Sequence, residues 1–561
     1  MKVYVADDGD TLRSIAEKYH VGIQDLLSCN QHITSPDQQI KGEVVKISSP
    51  SMKLRNPAAI PHCEPESQSD YLDQWIPLTS LEQMAQIEYD VIIVGTGAGG
   101  GAVLWRLCEQ WGRNGKRIGV IEAGDLFLPT NVQNIPTMNA ERYGKFWANP
   151  KFWKRIGMSW PDHLHENTLF PESSELAFKQ FLALGGRTVL WNAVCPRMHT
   201  ADIVKWPVSL QDMNLYYNIA EQVMNVSQSY THGSSITQIL LSQLRKGGFP
   251  EATDEPIAAD LAETKYGEIH SNVFFSSILF LARALNKRPF DLAIKSRAVE
   301  LLTEKGKVVG VKVVSSDKKN YLLKAKTIVL STSTFETPRI LLHSGISGTA
   351  IGHYLTNHSR VVGTGIVCRD DFPEILGTLG ILIPRTVDRP YQIQIHGPGK
   401  NSEYYWYAYN EKPLRKEWEI DFIGSGMVES RYENKIVLDP LMRDEYGVPE
   451  LKVQFSYSER DEDIIQKMGE GLKQASSTLK APLVSEICRK LPGDEIHEMG
   501  TCRMGDNPST SATNPYGQIH GVLGLYIADN SVIPTSGAAN PTLTTIALAI
   551  RTADYIIQQF K

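Results

Sequence analysis

Residues 89–100 have the sequence YDVIIVGTGAGG, in which a run of β-branched residues leads directly into a glycine-rich loop. A near-continuous apolar run of this kind is typical of a parallel strand that is buried on both faces. Gly95 permits the tight turn, Gly97 lets the backbone approach a pyrophosphate, and Gly100 lets the next helix pack against the strand. The stretch therefore predicts a strand, a phosphate-binding turn and a helix whose N-terminus faces an anion.

A second strand supports this interpretation. Residues 117–122 have the sequence RIGVIE, which predicts a buried strand that ends in an acidic residue. In a dinucleotide-binding unit an acid at this position accepts hydrogen bonds from the adenosine ribose, and we assign that role to Glu122. The order of strand, glycines, helix, strand and acid predicts a dinucleotide-binding domain. It leaves open whether the nucleotide is NAD or FAD.

The composition narrows the class of protein. The chain has 561 residues, of which 42% are hydrophobic and 21% charged, as in globular proteins of two or more domains. Its net charge of -6 is spread without a dense run of Lys and Arg, so we expect no nucleic acid partner. It contains no apolar run long enough for a membrane span and opens without a signal region, so we expect a cytoplasmic protein. Scattered cysteines without Cys-x-x-Cys spacing predict neither a disulfide scaffold nor a metal site.

The first residues form a small unit of their own. Four elements are predicted in the order strand, helix, helix and strand, at residues 3–6, 10–19, 23–28 and 42–47. Asp10 or Thr11 caps the first helix, and Asn30 breaks the second. The unit resembles a LysM module. The resemblance implies binding of an N-acetylglucosamine polymer and a spore or cell-wall association, while the alternative is a scaffold for docking or assembly.

The rest of the chain carries four further motifs. They lie at residues 330–345, 352–358, 497–505 and 525–542. In this order, together with the glycine loop, they resemble the glucose-methanol-choline (GMC) family of FAD-dependent oxidoreductases. The resemblance extends from Tyr89 to Lys561. It implies a mixed α/β and α+β protein with a discontinuous Rossmann-type FAD-binding domain and an antiparallel-sheet substrate domain.

The resemblance also implies a catalytic pair, His497 and Asn540, which meets above the flavin. Oxidation of an alcohol needs a base for the hydroxyl proton, and histidine has a suitable pKa, so we assign that role to His497. Asn540 is implied to hydrogen-bond the same hydroxyl while flavin N5 takes the hydride. The further FAD contacts implied by the resemblance are Leu190, Asn192, Ala193, Val299, Asp529 and Thr542.

Within the family, the likeness is to pyranose oxidase and related bacterial sugar oxidoreductases. It rests on residues 185–191, 206–207 and 538–544. Pyranose oxidases have a histidine before the tryptophan that bonds covalently to the flavin, whereas here Leu190 precedes Trp191. We therefore predict non-covalent FAD. The expected substrate is an alcohol of a sugar, a glycoside or an aminoglycoside-like molecule.

The predicted organisation has five segments. They are a LysM module at residues 1–48, a linker at 49–88, the main part of the FAD-binding domain at 89–350, a substrate-binding domain at 351–490 and the C-terminal part of the FAD-binding domain, with the catalytic pair, at 491–561. Alternating apolar and polar residues between 361 and 455 predict a sheet with one covered face and one face that lines a cavity. Aromatic residues at 404–407 are explained either by sugar stacking or by core packing.

Two alternative functions stay open. Some proteins with this fold hold FAD structurally and cleave cyanohydrins, so a lyase is the first alternative. The second is a cell-wall or spore-surface binding protein in which the LysM module supplies the function and the large domain is a degenerate enzyme. The sequence does not decide the electron acceptor, and a homo-oligomer is compatible with it.

Overall fold

The computed structural model describes residues 2–19, 21–47, 76–126, 180–189, 191–231, 233–260, 273–373, 378–397 and 416–560. Contacts between residues divide the chain into two units, Met1–Tyr71 and Leu72–Lys561. Over the described ranges, no helix is both long enough and apolar enough to cross a bilayer. Leu190 and the aromatic residues 404–407, which the sequence singled out, lie outside the described residues.

The first unit is a two-stranded sheet with two helices. Strand β1 (Lys2–Val5) pairs antiparallel with β2 (Val44–Ile47), and α1 (Leu12–Lys18) and α2 (Ile23–Cys29) lie between them in sequence. Apolar side chains from both helices and both strands form one small core. The order of strand, helix, helix and strand is the predicted one.

Two polar residues fix the ends of these helices. The Thr11 hydroxyl accepts a hydrogen bond from the Ser14 N–H at 3.1 Å and caps α1. The fully buried Asn30 donates from Nδ2 to the carbonyls of Leu26 and Lys46, each at 2.8 Å. Because these carbonyls belong to α2 and β2, the Asn30 side chain joins the end of the helix to the closing strand.

The second unit contains the remaining strands and helices. Its strands are β3 (Glu88–Val94), β4 (Ile118–Ile121), β5 (Val226–Ser227), β6 (Thr253–Asp254), β7 (Ile257–Asp260), β8 (Val273–Phe274), β9 (Asp291–Ala293), β10 (Ser296–Glu304), β11 (Lys307–Ser315), β12 (Asn320–Leu330), β13 (Ser359–Cys368), β14 (Leu379–Ile383), β15 (Tyr391–Gly397), β16 (Glu417–Gly426), β17 (Lys435–Arg443), β18 (Pro449–Gln454), β19 (Cys488–Arg489) and β20 (Leu525–Ile527). Its helices are α3 (Leu81–Met84), α4 (Ala98–Trp111), α5 (Thr200–Ile203), α6 (Leu210–Met224), α7 (Ser235–Lys246), α8 (Ile278–Lys287), α9 (Ser333–His343), α10 (Glu459–Thr478) and α11 (Thr542–Gln559).

A seven-stranded sheet forms one layer of this unit. Its order is β10, β11, β12, β3, β4 and β9, and β20 pairs in addition with β12. Strands β20, β12, β3, β4 and β9 run parallel, whereas β10, β11 and β12 are joined antiparallel. Helices α8 and α11 pack against α4, so the sheet is completed by segments from distant parts of the sequence. The predicted discontinuous Rossmann-type arrangement is confirmed.

A six-stranded antiparallel sheet forms the second layer, in the order β19, β13, β16, β15, β14 and β6. Helix α10 packs across β16 and β13. In β15, Ile393 and Ile395 join a core with α10 residues, so the alternate residues Gln394 and His396 face the opposite side. The predicted antiparallel sheet is confirmed. One predicted member differs, because β18 pairs with β17 in a separate two-stranded sheet.

Candidate active site

The glycine loop lies between β3 and α4, and its glycines meet different neighbours. Gly95 has a φ of +94°, and a Cβ there would lie 2.2 Å from the Ser331 carbonyl oxygen. A Cβ on Gly100 would lie 2.0 Å from the Gly95 carbonyl oxygen. A Cβ on Gly97, by contrast, would meet nothing within 4 Å. Gly95 and Gly100 therefore allow the backbone to pack tightly, while Gly97 opens onto free space.

Glu122 directly follows β4 and is buried beneath this loop. Its carboxylate accepts hydrogen bonds from the Thr96 N–H at 3.0 Å, the Thr96 hydroxyl at 2.6 Å and the Gly124 N–H at 2.8 Å. Burial raises the pKa of Glu122, and these hydrogen bonds oppose the increase. The carboxylate is therefore held in one orientation at the carboxyl end of the parallel strands.

A cavity of about 470 Å³ lies against the loop. It is lined by Gly95, Gly97 and Glu122, and also by His497 and Asn540. Residues that are hundreds of positions apart in the sequence thus line one cavity. The carboxyl edge of a parallel sheet is where dinucleotides bind in open α/β folds.

Two further residues that were predicted to contact FAD also line this cavity, and both belong to the C-terminal segment. Asp529 follows β20, and its carboxylate accepts hydrogen bonds from the Thr337 hydroxyl at 2.6 Å and the Ser333 N–H at 3.1 Å. Burial raises the pKa of Asp529, and its hydrogen bonds again oppose the increase. Thr542 is the first residue of α11, so the N-terminus of that helix also faces the cavity.

The remaining sequence-predicted contacts are only partly brought together. Asn192 lines the cavity, whereas Ala193 is buried behind it with a φ of +58°. On β10 the lining ends at Ala298, and Val299 packs instead in a small apolar cluster with Val314 and Val448. The structure does not bring Ala193 or the Val299 side chain to the cavity wall.

His497 is held by two polar neighbours. Its Nδ1 lies 3.0 Å from Nδ1 of His358 and 3.3 Å from Oε2 of Glu495. His358 is fully buried, and its Nε2 lies 3.0 Å from the carbonyl oxygen of Ser536. The His497 side chain keeps 17% of its surface exposed, which leaves it accessible from the cavity.

The electrostatic environment keeps both histidines neutral. Burial lowers the pKa of His358 to about 4. Burial also holds the pKa of His497 well below its ordinary value of 6.5, and His358, Arg360 and Arg187 lower it further. At neutral pH the His497 imidazole is therefore an uncharged proton acceptor.

Asn540 is oriented by two glutamines that the sequence analysis did not single out. Its Oδ1 accepts hydrogen bonds from Nε2 of Gln392 at 2.9 Å and from Nε2 of Gln394 at 2.8 Å. Both glutamines lie on the same face of β15, two residues apart as the pleat of a strand requires, and Gln394 lines the cavity. The available signal was the alternation of polar and apolar residues in YQIQIHG at residues 391–397.

Charged residues surround His497. Arg360 pairs with Asp494 at 3.2 Å and with Glu495 at 3.0 Å. Arg187 donates to the Glu498 carboxylate at 2.5 Å. Both arginines line the cavity, so their cationic groups lie near His497 as well as in ion pairs.

His358, Glu495 and His497 also have the composition of a metal-binding group, with ligand atoms within 4.8 Å of one another. Two imidazoles on one tetrahedral zinc ion keep their nitrogens about 3.3 Å apart, given metal–nitrogen bonds of about 2.05 Å. The two Nδ1 atoms here are 3.0 Å apart. This distance favours a direct hydrogen bond between the rings.

The fold is that of a dinucleotide-binding protein, and its cavity brings His497 and Asn540 to the glycine loop. Comparison with known protein families identifies the family of this chain. Two models described as GMC oxidoreductase match residues 89–360 and 430–549, and a model described as LysM domain matches residues 4–41. The chain belongs to the GMC oxidoreductase family and carries a LysM domain at its N-terminus. The family is FAD-dependent.

Known relatives agree with this assignment. The chain is 26% identical over 400 residues to the C-glycoside 3-oxidase of Arthrobacter globiformis, with 67% of this chain and 74% of the relative covered. It is 23% identical to the pyranose 2-oxidase of Tricholoma matsutake, with 67% and 72% covered. The crystal structure of a pyridoxine 4-oxidase from Mesorbium loti has the same fold, with a TM-score of 0.58, 15% identity and 83% and 99% of the two chains covered.

The cavity is compatible with a flavin dinucleotide. Gly97 supplies no side-chain cap for α4, so backbone N–H groups at the start of this helix are left to an anion. Because a Cβ on Gly97 would meet no protein atom, the backbone there is open to a pyrophosphate. Glu122 lines the same cavity from the end of the second parallel strand, the position of the ribose-binding acid in dinucleotide-binding domains. The donor set of this chain thus fits the cofactor of its family.

Proposed function

We propose that this protein oxidises an alcohol group of a sugar, a glycoside or an aminoglycoside-like molecule with non-covalently bound FAD. The observation that supports the proposal is the shared cavity, which has the glycine loop and Glu122 in one part of its lining and His497 and Asn540 in another. In this assignment Gly97, Glu122 and Asp529 hold the cofactor. When bound, the flavin accepts a hydride from the alcohol carbon.

His497 removes the proton of the substrate hydroxyl in this proposal. Its lowered pKa ensures that the imidazole is uncharged at neutral pH and able to accept that proton. The oxidation is balanced when the hydroxyl proton goes to His497, the carbon loses its hydride and a carbonyl remains. A base with a low pKa is a weak one, so the imidazolium that forms needs a nearby negative charge. Glu495, at 3.3 Å, is the acidic group placed to supply it when ionised; burial raises the pKa of Glu495, and the cation of Arg360 opposes that increase.

Asn540 positions the reacting hydroxyl. Because Gln392 and Gln394 both donate to its Oδ1, the amide is turned so that its NH2 group is the side left for the substrate. An NH2 group donates to the substrate oxygen and stabilises the charge that develops as the proton leaves. The two glutamines thus determine which half of the Asn540 amide meets the substrate.

The character of the cavity supports a polyhydroxylated substrate. Arg360, Gln394 and His396 contribute donors and acceptors to its wall. His396 is itself held by the buried Glu255 at 2.9 Å. Several convergent polar groups suit a ring with several hydroxyls, and the relatives reported above carry names that refer to a C-glycoside and a pyranose.

The test is the visible spectrum of the purified protein under anaerobic conditions, with a panel of sugars, glycosides and amino sugars. Loss of the flavin band near ~450 nm with one class of compound is the expected result. The matched variant His497→Ala should keep FAD and slow flavin reduction by about 10² to 10⁴. A bound flavin that no candidate bleaches, or a variant that reacts at the wild-type rate, contradicts the assignment.

Non-covalent attachment has its own test. Leu190 has no nucleophilic atom in the position where pyranose oxidases carry the flavin-linked histidine. Acid precipitation should therefore release the flavin into the supernatant. Flavin that stays with the precipitated protein would show a covalent bond through another residue.

For the LysM domain we propose binding of an N-acetylglucosamine polymer. Pull-down of the full chain on insoluble chitin or peptidoglycan tests this, and enrichment is expected. Asn30→Ala is a useful companion variant, because it leaves the carbonyls of Leu26 and Lys46 without their donor and unfolds the module. Equal enrichment of this variant would place glycan binding elsewhere in the chain.

A further inference from the structure

The hydrogen-bond partners of His358 determine its tautomer. Its Nε2 lies 3.0 Å from the carbonyl oxygen of Ser536, and a carbonyl oxygen can only accept. Nε2 of His358 must therefore carry a proton. In the neutral ring that burial enforces, Nδ1 is then an unprotonated acceptor.

The same reasoning fixes the tautomer of His497. Its Nδ1 lies 3.0 Å from the acceptor Nδ1 of His358, so it must be the donor of that hydrogen bond. Oε2 of Glu495 lies 3.3 Å from the same atom. A neutral His497 with its proton on Nδ1 has its lone pair on Nε2.

We propose that His358 is a positioning residue that holds the proton of His497 on Nδ1. The hydrogen bonds run from His497 to His358 and from His358 to the Ser536 carbonyl, and they keep Nε2 of His497 free to act as the base. This inference rests on the proposed function. His358 does not touch the substrate; it acts through His497. The size of the effect is bounded by Ser-His-Asp enzymes, in which a histidine held in the wrong tautomer loses about 10⁴ in rate.

Glu495 has a complementary part. After the substrate proton reaches Nε2, His497 is a cation that still donates from Nδ1. His358 offers it a neutral acceptor, and Glu495 lies 3.3 Å away as the nearest acidic group. Burial raises the pKa of Glu495 and Arg360 opposes that increase, and a cation at His497 favours the ionised carboxylate in the same way. His358 thus selects the tautomer before the reaction, and an ionised Glu495 stabilises the product of proton transfer.

The direct test is ¹⁵N NMR of the full-length holoprotein labelled at histidine, without substrate. The His497 signals are assigned by their loss in His497→Ala. We expect a protonated Nδ1 and an unprotonated Nε2. A wild-type His497 with its proton on Nε2 overturns the proposal, even if sugars bleach the flavin. A protein with the expected tautomer that no substrate reduces would instead refute the proposed function.

A matched pair of variants separates positioning from packing. His358→Phe keeps a ring but removes both nitrogens, whereas His358→Asn keeps an acceptor near the position of Nδ1 and loses the donor to Ser536. We expect His358→Phe to lose the Nδ1–H tautomer and to slow flavin reduction by at least about 10-fold, with about 10⁴ as the upper limit. We expect His358→Asn to keep the tautomer and to stay within about 10-fold of the wild-type rate.

The pair also defines the contrary outcomes. If His358→Phe retains the tautomer, Glu495 suffices alone and the role assigned to His358 is wrong. If both variants slow equally without a change of tautomer, His358 is only structural. If His358→Phe does not fold, the wild-type tautomer and the His358→Asn variant still decide the matter.

Discussion

Replacing Gly97 by alanine separates the fold from the cofactor site. The backbone at this position has a φ of -61°, which alanine adopts without strain. The added methyl would meet no protein atom within 4 Å and would project into space beside the cavity. Gly97→Ala should therefore leave the cofactor-free protein folded and act only when FAD is bound.

The expected magnitude follows from the space that the methyl group takes. Adding a methyl to a well-packed contact costs about 1 to 3 kcal/mol. At 1.4 kcal/mol for each factor of ten, the Kd for FAD should rise by about 5- to 140-fold. The free energy of unfolding of the cofactor-free protein should change by less than about 1 kcal/mol, since replacing glycine by alanine at a compatible φ is neutral to stabilising.

The assay is titration of deflavinated protein with FAD, followed by quenching of flavin fluorescence, with thermal unfolding of the same samples. Gly469→Ala in α10 is the matched control, because a Cβ there also meets nothing within 4 Å but Gly469 is not part of the cavity lining. Gly99→Ala is the opposite case, since its Cβ would lie 1.6 Å from the Ala528 carbonyl oxygen and should prevent folding. Wild-type FAD affinity in folded Gly97→Ala would refute the placement of the pyrophosphate at this glycine.

Three further outcomes are expected. The rate of flavin reduction should be constant at neutral and mildly alkaline pH and decline only on acidification below about 6.5, because the His497 pKa is lowered and protonation removes the base; a decline that begins above neutral pH would contradict this. Asn540→Ala and Asn540→Asp should both retain FAD and slow its reduction by about 10² to 10³, because neither side chain provides the NH2 donor. Stopped-flow spectroscopy measures the rate of flavin reduction, and full activity in Asn540→Asp would argue against the donor role. Burial alone would raise the pKa of Glu336, but the charges of Arg297 and Arg339 outweigh burial and lower the pKa to about 2. The stabilisation that this ionised carboxylate contributes is present above the unfolded pKa of about 4.3 and is lost as the pH falls towards 2. Glu336→Gln should therefore lower the free energy of unfolding at pH 7 by about 3 to 5 kcal/mol in denaturant titrations and should remove that pH dependence.

The parts of the site that the sequence predicts are local. The β3 strand, the glycine loop and Glu122 lie close together in the chain, and their order alone specifies a βαβ unit. The LysM elements are predictable for the same reason, because the residues of each hydrophobic face lie close together in the sequence.

The parts that the sequence does not predict depend on distant pairings. Polar residues such as Gln392 and Gln394 alternate with apolar ones in any strand that has one solvated face. Only the topology of the sheet shows that this face is directed towards Asn540. His358 lies in a recognised motif, but its partner His497 is 139 residues away. No window of sequence shows that these two rings meet.

The position of Val299 shows a subtler limit. The family resemblance implies that Val299 contacts FAD. In the structure the register of β10 against β11 shifts between Ala298 and Glu300. A β-bulge reverses the alternation of faces, so the phase of the strand before the bulge does not hold after it. The cavity lining accordingly ends at Ala298.

Strand β20 is translated long after its neighbour β12, and this delay affects folding during synthesis. Ile328–Leu330 at the end of β12 pair with β20 at Leu525–Ile527, so this edge of the sheet has no native neighbour while the intervening chain is being translated. At about 5 to 20 residues per second, the ribosome takes roughly 10 to 40 seconds to supply it. During that interval an apolar parallel strand is exposed on the nascent chain, a template for intermolecular pairing. Lower growth temperatures and chaperones that shield this edge should therefore raise the yield of soluble protein.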